Sequence, residues 1–191
     1  FADKGYHDSS IRDISRATGI SLSGLYYYFP RKDELLFLIQ DHCFGVVLES
    51  ARQALRAETD PETRLRLFVE NHLRFFVNNM KEMKVLSHEL ESLSGEFRTT
   101  VNIKKRTYTN TCREVLLAAA PVETPIDQRV AVFGLFGMMN WIYNWYHPER
   151  DVPVAKLADD MCQLFLRGYV AGESRADNAD GDRYTLEPSP S

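Results

Sequence analysis

The chain has 191 residues, of which 44% are hydrophobic and 12% aromatic, and its formal net charge is −4. This composition can fill a buried core and excludes a chain that is disordered along its whole length. No apolar run reaches the roughly 18 residues of a membrane span, and no stretch has the pattern of a secretory leader, so we expect a cytoplasmic protein.

The charge is unevenly placed along the chain. Residues 173–191 have a net charge of −3, which leaves −1 for the remainder, and the charges of residues 1–34 balance. The overall charge therefore decides neither for nor against nucleic-acid binding. Cys43, Cys112 and Cys162 are isolated and odd in number, which indicates free core thiols rather than a disulfide framework or a zinc site.

The N-terminal part of the chain predicts two short helices joined by a tight turn. Residues 1–6 have the pattern of a helix end with a C-terminal glycine, and we expect that the rest of this helix precedes them. A serine at position 9 or 10 can cap a helix over residues 11–17, and Ser21 can cap another that runs to about residue 27. The intervening turn, residues 18–20, contains a glycine, and this arrangement predicts a helix-turn-helix.

The rest of the chain predicts helices only. Pro30 interrupts the pattern, and strand alternation is absent throughout. Further helices are predicted at residues 33–57, 61–79, 82–93, 96–120, 126–146 and 154–171. The predicted fold class is therefore all-α, with a helix-turn-helix reader at residues 1–36 and a helical ligand-binding and dimerisation domain, the sensor domain, at residues 37–172. A disordered acidic tail is expected at residues 173–191.

The second short helix has a surface suited to DNA. Tyr26, Tyr27 and Tyr28 are consecutive, and since each helical step rotates by about 100°, they cannot all face a core. Exposed tyrosine hydroxyls and the ammonium group of Lys32 can donate to phosphate oxygens. Small residues such as Gly24 let a helix lie deep in a major groove.

Four stretches carry a family resemblance: residues 1–6 (FADKGY), 10–14 (SIRDI), 18–21 (TGIS) and 25–36 (LYYYFPRKDELL). Together they resemble the DNA-binding region of the TetR (tetracycline repressor) family of bacterial transcription regulators. The resemblance implies a cytoplasmic homodimer that binds a palindromic operator, with half-sites roughly 34 Å apart. The predicted DNA-contacting residues are Ser10, Arg12, Ser21, Leu22, Ser23, Gly24, Tyr26, Tyr27, Tyr28 and Lys32. Leu22 stands where many members have a polar or basic residue, so an apolar contact with a thymine methyl group is expected there.

The last two predicted helices have features of a dimer interface. Glycine inside a helix costs about 1 kcal/mol relative to alanine, and close approach of a second helix is a reasonable cause for two of them. The predicted interface is Val130, Gly134, Gly137, Trp145, Leu157, Met161, Leu164, Phe165 and Gly168. Packing of this stripe inside one protomer is the alternative, and it explains the aliphatic residues equally well.

Aromatic and methionine residues are abundant in the sensor domain and suit a bulky apolar ligand. The predicted pocket residues are Phe76, Met80, Met83, Phe97, Tyr108, Phe133, Phe136, Met139, Trp141 and Tyr143. An ordinary packed core remains the alternative for each of them.

The run at residues 140–148 (NWIYNWYHP), which follows two glycines, resembles the sensor domains of TetR-family regulators of fatty-acid and sterol catabolism that respond to acyl-CoA thioesters. The resemblance implies an acyl chain in the apolar pocket. Lys104, Lys105 or Arg106 would then meet the phosphates, and Trp141 or Trp145 would stack on the adenine.

Other functions fit the sequence less well. The histidines are scattered and no catalytic motif is present, so we expect no enzyme activity, no cofactor and no metal. The alternatives are a helical small-molecule-binding protein without DNA binding, and a multidrug or aromatic-compound sensor without an acyl-CoA response. We expect a repressor that a hydrophobic effector releases from DNA through movement of the long helix that begins near Asp33.

Overall fold

A computed structural model of the protein describes residues 1, 5–89, 92–120 and 126–169. The described residues form only helices, which confirms the predicted fold class. The α-helices are α1 (Ile11–Thr18), α2 (Leu22–Tyr28), α3 (Lys32–Leu55), α4 (Pro61–Asn78), α5 (Met80–His88), α6 (Gly95–Ala119), α7 (Gln128–Asn140) and α8 (Val154–Tyr169). A short 3-10 helix, Trp141–Asn144, follows α7. The predicted acidic tail and the predicted break at residues 121–125 lie outside the described residues.

Local signals set most of the helix ends. Asp60 accepts a hydrogen bond from the Thr63 backbone at 2.8 Å, and Pro61 occupies the first turn of α4, where a missing N–H costs nothing. Gly5 has a φ of +81°, and its N–H donates to the Phe1 carbonyl at 2.8 Å. This backbone conformation favours glycine; residues 2–4 of the predicted helix end lie outside the described residues.

The main core lies between α3, α4, α6 and α8. Helix α3 packs against α4 and α6, and α4 also packs against α8. Phe68, Leu73 and Phe76 on α4 are at most 1% exposed, so α4 is the central helix of the sensor domain. None of the helices in the described ranges has the length and apolarity needed to cross a membrane.

A second, smaller apolar cluster joins the reader to the sensor domain. Tyr6 and Leu36 pack there with Val85, Leu93 and Val101. Helix α3 also runs unbroken across residues 36 and 37, the predicted domain boundary. The division into domains at this position stays a prediction, because both the helix and the cluster are shared by the two sides.

The helix predicted over residues 126–146 ends early. Helix α7 stops at Asn140, and the chain tightens into the 3-10 helix. This stretch is rich in aromatic residues with modest helix propensity. The tighter turn leaves Ile142 fully buried and Tyr146 only 3% exposed, with the Tyr146 hydroxyl donating to the Val152 carbonyl at 2.9 Å.

Candidate nucleic-acid interface and ligand pocket

Side-chain caps hold the two helices of the helix-turn-helix. At the start of α1, the Ser10 N–H donates to Asp13 at 2.9 Å, and the Asp13 N–H donates to the Ser10 hydroxyl oxygen at 3.2 Å. Gly19 ends α1 with a φ of +72°, a backbone conformation that favours glycine. The Gly24 N–H donates to the Ser21 hydroxyl oxygen at 3.1 Å. Ser10 and Ser21 therefore set the helix ends that present the surface.

The surface of α2 is tyrosine-rich and solvent-facing. Tyr26, Tyr27 and Tyr28 are 49%, 80% and 71% exposed, while Leu25 anchors the helix at 3% exposure. The rings of Tyr27 and Tyr28 meet edge to face, with centroids 5.0 Å apart. Of the other predicted contact residues, Arg12, Ser10, Ser21 and Ser23 are exposed, and Leu22 and Gly24 are half-buried. Seven of the ten predicted contact residues are thus exposed, and their contact with DNA stays a prediction.

Lys32 is directed toward the protein backbone. Its Nζ donates to the carbonyls of Tyr6, Ser9 and His7 at 2.7, 3.0 and 3.3 Å, and it lies 4.2 Å from the centre of the Tyr6 ring. An ammonium group has three N–H donors, so these carbonyls can occupy all of them. Lys32 therefore ties the start of α3 to the segment before α1, and its predicted phosphate contact stays a prediction.

An apolar cavity of about 590 Å³ lies between α3, α4, α5, α6 and α7. Seven of the predicted pocket residues line it: Phe76, Met83, Tyr108, Phe133, Phe136, Trp141 and Tyr143. The lining also includes residues that sequence reasoning did not select for the pocket: Cys43, Phe44, Val47, His72, Leu86, Thr109 and Asn140. Lys105, one of the predicted phosphate contacts, lines the cavity as well.

Three predicted pocket residues lie elsewhere. Phe97 stacks on Phe37 in the smaller cluster, with ring centroids 4.5 Å apart. Met139 is fully buried in the main core, and Met80 packs against that core. The three differ from the lining residues in the direction of their side chains, which helical spacing alone does not set.

The polar side of the cavity is built by three helices. His72 on α4 lies 3.1 Å from the Tyr108 hydroxyl on α6 and 3.1 Å from Asn140 Oδ1 at the end of α7. The His72 ring also stacks on Phe76 at 4.4 Å. Burial lowers the pKa of His72 to about 4, although the Asn140 hydrogen bond opposes this shift. His72 is therefore neutral near pH 7, and it serves as a hydrogen-bonding group without charge.

Of the other predicted phosphate contacts, Lys104 is paired within the fold. Its Nζ lies 2.6 Å from the Asp41 carboxylate and donates to the Asp41 carbonyl at 3.0 Å. This pair joins α6 to α3. Arg106 is exposed on α6, which leaves Lys105 as the predicted phosphate contact that reaches the cavity.

The predicted dimer interface divides into an exposed part and a buried part. Val130, Trp145 and Leu164 are 65%, 45% and 69% exposed, and a Cβ at Gly134 would meet nothing within 4 Å. Gly137 lines the cavity. By contrast, Leu157 and Met161 are each only 6% exposed, and they pack in the main core with the half-buried Phe165 beside them. Gly168 lies near the end of α8. Leu157 and Met161 therefore pack inside one protomer, which is the alternative that the sequence left open for this stripe.

Proteins that unite such a DNA-reading region and a helical domain with a cavity in one chain are transcription regulators of the helix-turn-helix class. Residues 1–39 match the family described as "Bacterial regulatory proteins, tetR family", and residues 58–169 match "Tetracyclin repressor-like, C-terminal domain". The chain therefore belongs to the TetR family, as the sequence motifs predict.

Individual relatives agree with this assignment. The chain is 36% identical over 153 residues to the HTH-type transcriptional activator FasR of Mycolicibacterium smegmatis, covering 80% of this chain and 69% of that protein. A TetR-family regulator from Bordetella parapertussis has 33% identity and a TM-score of 0.82, covering 88% of this chain and 89% of its own. AibR in complex with isovaleryl coenzyme A and operator DNA has 27% identity and a TM-score of 0.75, covering 85% and 90%. FasR and the Bordetella protein are both described as transcription regulators.

Proposed function

We propose that this regulator binds a palindromic operator as a homodimer and that an acyl-CoA thioester in the sensor domain releases it. The single observation that carries the proposal is the aromatic cavity of about 590 Å³, which is connected to the helix-turn-helix by the unbroken helix α3. A cavity of this size and lining suits a mainly apolar ligand with a few polar contacts.

The chemistry of the cavity supports an acyl-CoA. The aromatic walls fit an acyl chain, and Lys105 at the lining offers a positive charge for a phosphate. Trp141 also lines the cavity and is 60% exposed, so its ring is accessible for stacking on an adenine. Relatives point the same way, because FasR and the fatty acid metabolism regulator protein of Bacillus subtilis match this chain and AibR was solved with isovaleryl coenzyme A.

The described lining argues against a sensor of cationic drugs. Among the described lining residues there is no aspartate or glutamate. Burying a cation without an acidic partner is costly. A cationic aromatic compound is therefore a poorer effector for this cavity than an acyl-CoA.

The exposed face of α7 supports a homodimer. Gly134 lies beside open space and Val130 on the same helix is 65% exposed, and neither is among the residues that line the cavity. Solvent-exposed apolar residues beside glycines are suited to close packing against a second helix. Two copies joined there would give the paired readers that a palindromic operator requires.

Helix α3 both lines the cavity and begins beside the reader, which supports release by the effector. Cys43, Phe44 and Val47 on α3 line the cavity, and the same helix begins at Lys32 beside the helix-turn-helix. An effector that favours one position of α3 would change the spacing of the two α2 helices in the dimer. It can shift DNA binding only as far as its preference between the two positions allows. Whether release raises or lowers transcription depends on where the operator lies relative to the promoter.

The test is fluorescence anisotropy of the full-length protein on DNA from upstream of its own gene. We expect saturable binding that weakens steeply with salt, because phosphate contacts release counterions, and dissociation on addition of acyl-CoAs. Free fatty acids and cationic dyes are the comparison ligands. Binding without an acyl-CoA response would remove the effector proposal, and no binding at low salt would remove the operator proposal.

A further inference from the structure

The polar groups of the cavity form an ordered chain of hydrogen bonds. His72 lies 3.1 Å from both the Tyr108 hydroxyl and Asn140 Oδ1. An amide oxygen only accepts, so His72 Nε2 carries the proton and donates to Asn140. The neutral ring then accepts at Nδ1, and the Tyr108 hydroxyl donates to it. Each member thus fixes the orientation of the next, from α6 through α4 to α7.

This chain of bonds leaves the amide nitrogen of Asn140 as a donor at the cavity. Asn140 lines the cavity, and its Oδ1 is held by His72. Among the described residues, no hydrogen bond from Asn140 Nδ2 to a protein acceptor is present. An oriented donor in a mainly apolar cavity favours a ligand with an acceptor at that position, since a ligand without one leaves the donor unpaired.

The charge state of this polar side limits the type of acceptor. Burial keeps His72 neutral near pH 7, so the group beside Asn140 brings no positive charge. A buried carboxylate needs a cationic partner, whereas a carbonyl oxygen needs only a donor. The polar side therefore suits an uncharged carbonyl group better than a free acid.

We infer, on the basis of the proposed acyl-CoA response, that Asn140 is a specificity-determining residue that donates a hydrogen bond to the thioester carbonyl of the effector. His72 and Tyr108 are positioning residues that orient the Asn140 amide. The protein thereby distinguishes an acyl thioester from an alkyl chain of the same length, which the aromatic walls alone would accept equally.

The test compares acyl-CoA thioesters with alkyl-CoA thioethers that lack only the carbonyl oxygen. We would titrate dodecanoyl-CoA against S-dodecyl-CoA, and butanoyl-CoA against S-butyl-CoA, by calorimetry with the full-length protein. In whichever pair binds better, the wild-type protein should bind the thioester about tenfold more tightly than the matching thioether. Asn140→Leu should remove this preference while it keeps the thioether affinity, and Tyr108→Phe should reduce it.

Two control variants separate the carbonyl contact from general damage. Asn144→Leu changes an asparagine that is outside the described lining, and it should keep the tenfold preference. Thr109→Val removes another uncharged donor in the lining, and it should keep the preference as well. Loss of the preference in Thr109→Val but not in Asn140→Leu would overturn the assignment, as would equal loss of both ligands in Asn140→Leu.

The outcomes also distinguish this inference from the proposed function. Equal wild-type affinity for thioester and thioether would overturn the carbonyl contact and leave the acyl-CoA proposal standing. If none of the four CoA derivatives binds, the acyl-CoA proposal fails and this inference fails with it.

Discussion

The buried carboxylate of Glu89 accepts a hydrogen bond from the backbone N–H of Tyr6 at 3.1 Å, across 83 positions of sequence. The Glu89 carbonyl, in turn, accepts from Gln40 on α3 at 2.8 Å. Glu89 directly follows α5, whose Met83 and Leu86 line the cavity. Helix α5 thus connects the ligand cavity to the segment that contains Tyr6, whose carbonyl also accepts a hydrogen bond from Lys32.

Removal of this contact should weaken the communication between cavity and reader. In Glu89→Ala the Tyr6 N–H loses its acceptor, so we expect DNA affinity to fall about two- to tenfold. The ratio of DNA affinities with and without acyl-CoA should also move toward one, while acyl-CoA affinity stays within about twofold. Anisotropy and calorimetry measure these quantities. Glu62→Ala, at an exposed position of α4, is the control, and an unchanged ratio in Glu89→Ala would contradict the coupling role.

The tyrosines of α2 should contribute to DNA binding and not to folding. Tyr27→Phe and Tyr28→Phe remove hydroxyls from side chains that are 80% and 71% exposed. Each change should weaken DNA binding several-fold, as expected for a lost hydrogen bond of about 1 kcal/mol, without lowering the melting temperature. Tyr146→Phe is the matched control, because its buried hydroxyl bonds to Val152. Tyr146→Phe should lower the melting temperature and leave DNA affinity unchanged. Lower stability with unchanged DNA affinity in Tyr27→Phe and Tyr28→Phe would argue against α2 as the DNA interface.

Lys32 should act mainly through the backbone it holds. Lys32→Met leaves three carbonyl groups without their ammonium donor, so the free energy of unfolding should fall by about 1–3 kcal/mol. If Lys32 contacts a phosphate, Lys32→Met should make the slope of log affinity against log salt less steep by about one. We expect this slope to stay the same in Lys32→Met, with Lys81→Met, at an exposed position, as the control. A less steep slope in Lys32→Met than in the wild type would establish the phosphate contact that the sequence predicts.

His72 should make the sensor domain sensitive to acid. Its pKa is lowered from 6.5 to about 4 by burial, so between these values the unfolded chain binds a proton that the folded protein does not. The stability that neutral His72 contributes is therefore present above about pH 6.5 and is lost as the pH falls toward 4, by about 3 kcal/mol in all. His72→Gln lacks this titration. Denaturation of both proteins across this range should show a steeper loss for the wild type, and parallel curves would contradict the buried neutral imidazole.

Gly134 on α7 should control dimerisation. A side chain at Gly134 meets nothing within 4 Å in the protomer, so Gly134→Leu should fold normally. In a closely packed dimer the same side chain would clash, and sedimentation should show dissociation to monomers. Ala118→Leu, at an exposed position of α6, should remain dimeric. A Gly134→Leu protein that dimerises as tightly as wild type would place the interface elsewhere.

Local features of this fold could be predicted from the sequence because they depend on neighbouring residues. The caps at Ser10 and Ser21 and the turn at Gly19 follow from short-range preferences. The exposure of the three tyrosines follows from helical geometry alone. The early end of α7 was not predicted, because burial of Ile142 and Tyr146 depends on packing against other elements.

The polar side of the cavity could not be predicted, because its members come from distant positions. His72 is 36 residues from Tyr108 and 68 from Asn140. A usable signal did exist, since His72 interrupts an apolar helix face one turn before Phe76. Apolar spacing also predicts that a face is buried without identifying its partner. For that reason the sequence predicts Leu157 and Met161 in a dimer interface, whereas in the structure they pack in the protomer core.

Ligand binding in the cavity and DNA binding by the helix-turn-helix should be thermodynamically coupled, and the reciprocity of this coupling is its most direct test. Acyl-CoA affinity should be measured for the free protein and for its operator complex, under the same salt conditions. If acyl-CoA weakens DNA binding by a given factor, operator DNA must weaken acyl-CoA binding by the same factor, typically about five- to 150-fold. Equal acyl-CoA affinity with and without operator would contradict the account.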